Sequence, residues 1–317
     1  MKKTAGIHHI SAIVGHPQEN TDFYAGVLGL RMIKKTVNFD DPGTYHLYFG
    51  NEAGEPGTII TFFPWANAYP GAVGGGQTGV TSYVIPLNTM DFWEKRLESF
   101  HIHYTKAERF GETSLRFNDP HGLKLELVER ESGKENGWSF GDIKPEYAIK
   151  GFGGATLYSV RPEKTMETLT EVMGLERVGE EADIVRFKSF GDIGNVIDVR
   201  KFPMPRGKMG VGTVHHIAWR AENEADHLDW QKTVREAGYM ATEVKDRNYF
   251  NAIYFREYGE ILFEIATDPP GFTVDEAPES LGSELKLPPQ YEAHRETLVQ
   301  SLIPIKLPGV NDNKGHK

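Results

Sequence analysis

Short apolar runs recur along the chain with similar neighbours. IHHIS (7–11), GVTSYVIP (79–86), GGATLYSV (153–160) and VHHIA (214–218) each read as a buried strand. A stretch with helical spacing follows each run. DFYAG (22–26) leads into VLGL (27–30), and EKTMETLTE (163–171) leads into VMGL (172–175). FWEKRLESF (92–100) and DWQKTVREAG (229–238) both place an apolar residue four positions after a Trp, which puts the two on one helix face. A β-rich stretch with a turn closes each unit: GTIITFF (57–63), NDPHGLKLELVE (118–129), IGNVIDVRKF (193–202) and YGEILFEIATD (258–268).

The pattern is therefore strand, helix and about three strands, four times over. Setting GGATLYSVRPE (153–163) under GTVHHIAWRAE (212–222) aligns Gly, Arg and Glu at an offset of 59 (212 − 153 = 59). The expected modules are 1–66, 78–130, 150–203 and 212–268, with a tail over 270–317. The fold class is α+β: four βαβββ modules pairing into two cupped mixed β-sheets. A module of this size cannot bury its sheet alone, so modules must pair.

Composition narrows the chemistry. A net charge of −10 argues against a nucleic-acid surface. No run reaches the ~18 apolar residues of a membrane span, and MKKTAGIHHIS lacks the apolar segment of a signal peptide, so a cytoplasmic protein is expected. With no cysteine, disulfides, thiolate metal sites and thiol nucleophiles are excluded. A metal here would be held by histidine and carboxylate, which suits iron, manganese or a catalytic zinc.

The histidine pairs His8-His9 and His215-His216 stand out. Alternation lets only one member of each pair face a given side of its strand and does not say which: Ser11 and Ile13 share a face with His9, Ile10 and Ala12 with His8. Glu264 sits inside the apolar run ILFEIA. A buried carboxylate without a partner is costly, and a metal ion would remove that cost.

The HH near the start, FYAGVLGL (23–30) and the βαβββ repeat resemble the vicinal-oxygen-chelate superfamily of glyoxalases, extradiol dioxygenases and fosfomycin-resistance proteins, over about 6–270. That resemblance implies that two modules form a cup with a metal in it, bound from the first and last strands of each module. First-strand histidines occur only in modules one and four. The aligned residues are Thr81 and Ser82 in module two and Thr156 and Leu157 in module three. The last strands offer Glu126, Asp198 and Glu264, but only Thr61 or Phe62 in module one. Modules one and four are thus expected to pair, within one chain or between chains, around His9, His216 and Glu264, leaving modules two and three to pair without metal. Two histidines and one carboxylate with open positions are the donor set of non-heme Fe(II) oxygen enzymes; Mn(II) suits the same set. Glu126 and Asp198 are then relics paired with cations or water. HIH (101–103) puts two histidines on one strand face at a surface edge, and His121, in the turn NDPHG, is expected in solvent.

FEIATDPPGF (263–272) and LPPQYEAHRETL (287–298) look like the ring-cleaving hydroquinone dioxygenases, over essentially the whole chain. This implies an Fe(II) enzyme that inserts O₂ into a para-diol ring beside a hydroxylated carbon. Its partners are a small aromatic substrate and O₂; a homo-oligomer is left open. The site residues it implies are His8, His215, Arg247 and Tyr254 as catalytic groups and Ser11 at the substrate, where a relative has Thr. Catechol cleavage, a glyoxalase-like isomerase or lyase, and a non-enzymatic binding module are the rivals. The Pro- and Gly-rich tail, with a helix near 291–302, would cover the cup or stabilise a dimer, and GVNDNKGHK (309–317) is expected to be disordered.

Overall fold

The computed structural model of the protein describes residues 2–309, so the end of the GVNDNKGHK segment lies outside the described residues. Each module runs strand, helix, three strands. Module one holds β1 (Ile7–Val14), α1 (Pro17–Thr21), β2 (Arg31–Val37), β3 (Tyr45–Gly50) and β4 (Ile59–Pro64). Module two holds β5 (Gln77–Ile85), α2 (Met90–Ser99), β6 (Tyr104–Arg109), β7 (Glu112–Asn118) and β8 (Lys124–Glu129). Module three holds β9 (Gly151–Tyr158), α3 (Pro162–Glu167), β10 (Glu176–Glu181), β11 (Ile184–Lys188) and β12 (Val196–Arg200). Module four holds β13 (Thr213–Ala221), α4 (Glu224–Glu236), the two-residue β14 (Lys245–Asp246), β15 (Phe250–Arg256) and β16 (Leu262–Pro270).

Local chemistry explains the helices. Pro17 and Pro162 occupy first turns, where a missing N–H costs nothing. Both helices widen into a π turn, Asp22–Val27 and Thr168–Val172. Each is then stopped by a glycine with positive φ, Gly29 (67°) and Gly174 (73°), a conformation a side chain resists. Trp93 and Leu97 of α2, and Trp230 and Val234 of α4, are buried against the sheets.

Two eight-stranded sheets result. One runs β14-β15-β16-β13-β1-β4-β3-β2, the other β10-β11-β12-β9-β5-β8-β7-β6. Modules one and four therefore share a sheet within a single chain, joined by antiparallel β1 and β13; β5 and β9 join the other two. Each module's last strand returns parallel to its first, as in β4 beside β1 and β16 beside β13.

The register corrects the alignment above. Ser11 lies beside Thr61, Ser82 beside Glu126, Thr156 beside Asp198 and Ala218 beside Glu264. These four first-strand residues are equivalent, so modules three and four superpose at an offset of 62 (218 − 156 = 62), and not 59. The counterparts of His9 and His216, two residues earlier, are Val80 and Gly154 rather than Thr81/Ser82 and Thr156/Leu157. The second sheet still offers no imidazole. HIH is not on a strand: it lies in the connection after α2, His101 has φ 55°, and β6 begins at Tyr104. His121 is half-buried, its Nδ1 3.4 Å from the Gly15 N–H.

The tail lies across module one. The Lys286 N–H donates to the Lys35 carbonyl at 2.9 Å and the Tyr291 hydroxyl to the Phe39 carbonyl at 2.7 Å. Phe272 and Leu281 enter the concave side of the first sheet and pack with Ile33, Tyr48, Tyr249 and Phe250. Lys34, fully buried, reaches Asp275 and Glu276 at 2.5 Å each and ties the tail down. The sequence-predicted helix near 291–302 is a 3₁₀ segment, Pro289–His294, followed by α5 (Arg295–Ser301).

Candidate metal centre

Three strands bring His9, His216 and Glu264 together in the cup of the first sheet. His9 Nε2 lies 3.3 Å from His216 Nε2. Glu264 Oε2 lies 3.5 Å from the former and 2.8 Å from the latter. Among the described residues this is the only group of three histidine, cysteine, aspartate or glutamate side chains whose donor atoms converge this closely, and all three are buried. Neither oxygen of Glu264 receives an aligned hydrogen bond, although the side chain is wholly buried. Burial opposes its charge, yet attraction to His9 and His216 holds the carboxyl well below the usual range. Burial likewise pushes the His216 imidazolium down. An anionic oxygen and two imidazole nitrogens aimed at one point, without donors between them, fit a cation.

Each of these two histidines is held from behind. His8 Nδ1 lies 2.9 Å from His9 Nδ1, and His215 Nδ1 lies 2.7 Å from His216 Nδ1, with rings edge-on in both pairs. A register shift between Ile7 and His9 breaks strict alternation in β1, and the strand is buried along its whole length, both histidines included.

A cavity of about 280 Å³ opens beside the triad. His9, His216 and Glu264 line one side; Phe39, His46, Tyr48, Phe63, Trp65, His215, Arg247, Phe250 and Tyr254 supply much of the rest. Tyr254 pairs across from Glu264 on neighbouring strands. Its hydroxyl lies 3.3 Å from Arg247 Nε. Burial, then the Glu264 charge, pushes the Tyr254 hydroxyl pKa up, so it stays protonated. His215 is held down to about 3, first by burial and then by His216, so its ring is neutral. His8 and Ser11 stand one layer behind the cavity wall. His8 is buried against Phe250, and Ser11 Oγ lies 2.7 Å from Thr61 Oγ1.

Sequence reasoning missed His46 and Tyr48. His46 is buried between Tyr48 and Phe63, its Nε2 2.9 Å from Thr61 Oγ1 and its Nδ1 2.9 Å from the Tyr48 hydroxyl. The alternation YHLYFG over β3, with a histidine and a tyrosine on one face, is the signal that could have found them. Thr61 occupies the place equivalent to Glu264 and is spent in this chain of hydrogen bonds.

The second cup has different chemistry. A larger cavity, about 620 Å³, lies over it. Its two carboxylates face an arginine cluster: Arg109 Nη2 lies 3.4 Å from Glu126 and 3.0 Å from Asp198, Arg116 lies 2.8 Å from Glu126, and Arg186 lies 2.8 Å from Asp198. Guanidinium groups stand where the first cup leaves a carboxylate bare.

Comparison with known proteins matches residues 6–127 and 151–275 to the model of the "Glyoxalase/Bleomycin resistance protein/Dioxygenase superfamily". The chain is 67% identical over 306 residues to "Putative ring-cleaving dioxygenase MhqO" of Bacillus subtilis (strain 168), covering 96% of this chain and 98% of that one. It is 35% identical over 312 residues to the "Chlorohydroquinone/hydroquinone 1,2-dioxygenase" of Sphingobium indicum, covering 95% and 97%. A crystal structure from B. subtilis whose name likewise reads dioxygenase superposes with a TM-score of 0.97 at 66% identity, covering 98% of this chain and all of that one. Glyoxalase I from Zea mays, at 10% identity and a TM-score of 0.61 over 83% of this chain and 92% of that one, shares the fold.

Proposed function

The chain belongs to the glyoxalase/bleomycin resistance protein/dioxygenase superfamily, and from that premise we propose that it is an Fe(II)-dependent ring-cleaving dioxygenase acting on a hydroquinone. The observation that carries this reading is Glu264: a wholly buried carboxylate that receives no aligned hydrogen bond and faces the Nε2 atoms of two histidines. With Thr61 in the fourth place, such a site offers three protein ligands and keeps coordination positions open. His9, His216 and Glu264 would hold Fe(II), or Mn(II). The bound metal would supply the redox-active centre that couples the electrons of the ring to O₂.

The chain's own groups do the rest. The aromatic walls of Phe39, Phe63, Trp65 and Phe250 take a single flat ring, and about 280 Å³ is at the small end of the ~300–1,000 Å³ typical of ligand sites. The Tyr254 hydroxyl, kept protonated and polarised by Arg247, donates to an oxygen on which negative charge develops. Neutral His215, whose Nδ1 faces the Nδ1 of His216, presents its Nε2–H as a donor to a ring oxygen. His8 and His215 hold the ligand rings with their Nε2 atoms toward the site. The names of the relatives point to ring cleavage and, in one case, to hydroquinones. The missing fourth ligand and the small, largely apolar cavity weigh against a glyoxalase-like isomerase.

The test is O₂ uptake by protein loaded anaerobically with Fe(II) and offered methylhydroquinone or methylcatechol. Uptake above autoxidation with the hydroquinone alone, with loss of ring absorbance, is expected. Uptake with the catechol alone would move the substrate class. No uptake with either, despite bound iron, would overturn the dioxygenase reading.

A further inference from the structure

Among the described residues, Arg247 is the only lysine or arginine lining the cavity. A free guanidinium there would attract any substrate that carried a carboxylate. It is not free. Its Nη2 lies 3.3 Å from Asp40 Oδ2. Asp41 follows, with the Trp65 indole N–H donating to its Oδ2 at 2.9 Å. The mouth of the cavity thus carries two aspartates against one arginine.

These positions are built rather than incidental. The Asn38 side-chain oxygen accepts the backbone N–H groups of Asp40 and Asp41, at 2.9 and 3.3 Å, and so fixes the turn that carries both carboxylates. From the other side, the Tyr291 hydroxyl pins the Phe39 carbonyl, and the Arg247 guanidinium lies over the Phe39 ring, 5.6 Å from its centroid.

We propose that Asp40, supported by Asp41, makes this a site for uncharged rings: Asp40 masks Arg247, and the paired aspartates repel a diol that bears a carboxylate. Within the hydroquinones, alkyl or halogen substituents are then accepted and an acidic substituent is refused. This rests on the ring-cleaving reading above and names the charge class of its substrate.

The experiment measures binding, so it does not depend on turnover. Protein loaded anaerobically with Fe(II) is titrated calorimetrically with methylhydroquinone and with 2,5-dihydroxybenzoate. The native protein is expected to prefer the methyl compound. Asp40→Asn should narrow that preference roughly fivefold, the upper range for an exposed ion pair, by tightening the carboxylate compound. Asp40→Ala should act in the same direction, because the loop is held through backbone N–H groups. Asp41→Asn should do less, and adding Arg247→Gln to Asp40→Asn should erase the gain. A native protein that takes the carboxylate compound at least as tightly overturns the proposal. So does an unchanged preference in both Asp40 variants, or a gain that survives Arg247→Gln. If methylhydroquinone itself fails to bind, the functional reading falls and the proposal falls with it.

Discussion

His8 and His9 meet Nδ1 to Nδ1 at 2.9 Å, and the pair recurs 207 residues later in His215 and His216 at 2.7 Å. In both pairs the first imidazole fixes the ring of the second while its Nε2 points at Glu264. Yet the pairs are not equivalent. His8 is buried behind the cavity wall, whereas His215 lines the cavity.

Their replacement should therefore separate two effects. His8→Phe is expected to weaken metal binding about 10–100-fold while leaving turnover per bound metal near native. His215→Phe should weaken binding similarly and also reduce turnover at saturating metal. Metal titration paired with rates normalised to bound metal checks this. A His8 variant that binds metal normally would show that the Nδ1 contact does not hold the ligand.

Glu264 makes a second prediction. Fe(II), added anaerobically at a hundredfold excess over its dissociation constant, should stabilise the native fold by about 2.7 kcal/mol. His9→Ala, His216→Ala and Glu264→Gln should each lose that gain. Metal-free Glu264→Gln should melt below the metal-free native protein, because attraction to His9 and His216 favours the ionised carboxylate in the fold. Thermal denaturation with and without metal reads all of these together.

Lys34 anchors the tail. Lys34→Ala leaves the buried Glu276 carboxylate, among the described residues, with hydrogen bonds from the backbone N–H groups of Gly282 and Glu284 alone, at 3.2 Å each. A loss of about 3–5 kcal/mol is expected. The double change Lys34→Met with Glu276→Leu should cost less than the single one. Denaturant midpoints distinguish them, and equal losses would mean that the ion pair does not secure the tail.

Asp119 makes stability depend on pH. It is buried where Tyr24 and the backbone N–H groups of His121 and Leu123 reach it. Burial pushes its pKa up from 3.8 to about 6, against those hydrogen bonds. Between these values the folded protein binds more protons than the unfolded chain, so stability falls as pH rises through the window. At neutral pH the cost is roughly 2–3 kcal/mol. Asp119→Asn lacks this term. Its melting temperature relative to native should climb by a few degrees from pH 4 to pH 7, and a constant difference would contradict the assignment.

The order of elements could be read from the sequence because it rests on local physics. Strand and helix periods, glycines after helices and turn residues all act within a few positions. Four repeats, two histidine pairs and one carboxylate in an apolar run were visible in the same way. What lies between strands was not. The register that makes Val80 and Gly154 the counterparts of His9 and His216 depends on hydrogen bonds between strands far apart in the chain. A one-residue slip would exchange every face. The burial of β1 on both faces, the union of modules one and four in one chain, the arginines that fill the second cup, and the place of His46 in the cavity wall belong to the tertiary structure. Pairing and packing decide which polar groups meet, and no local pattern encodes that choice.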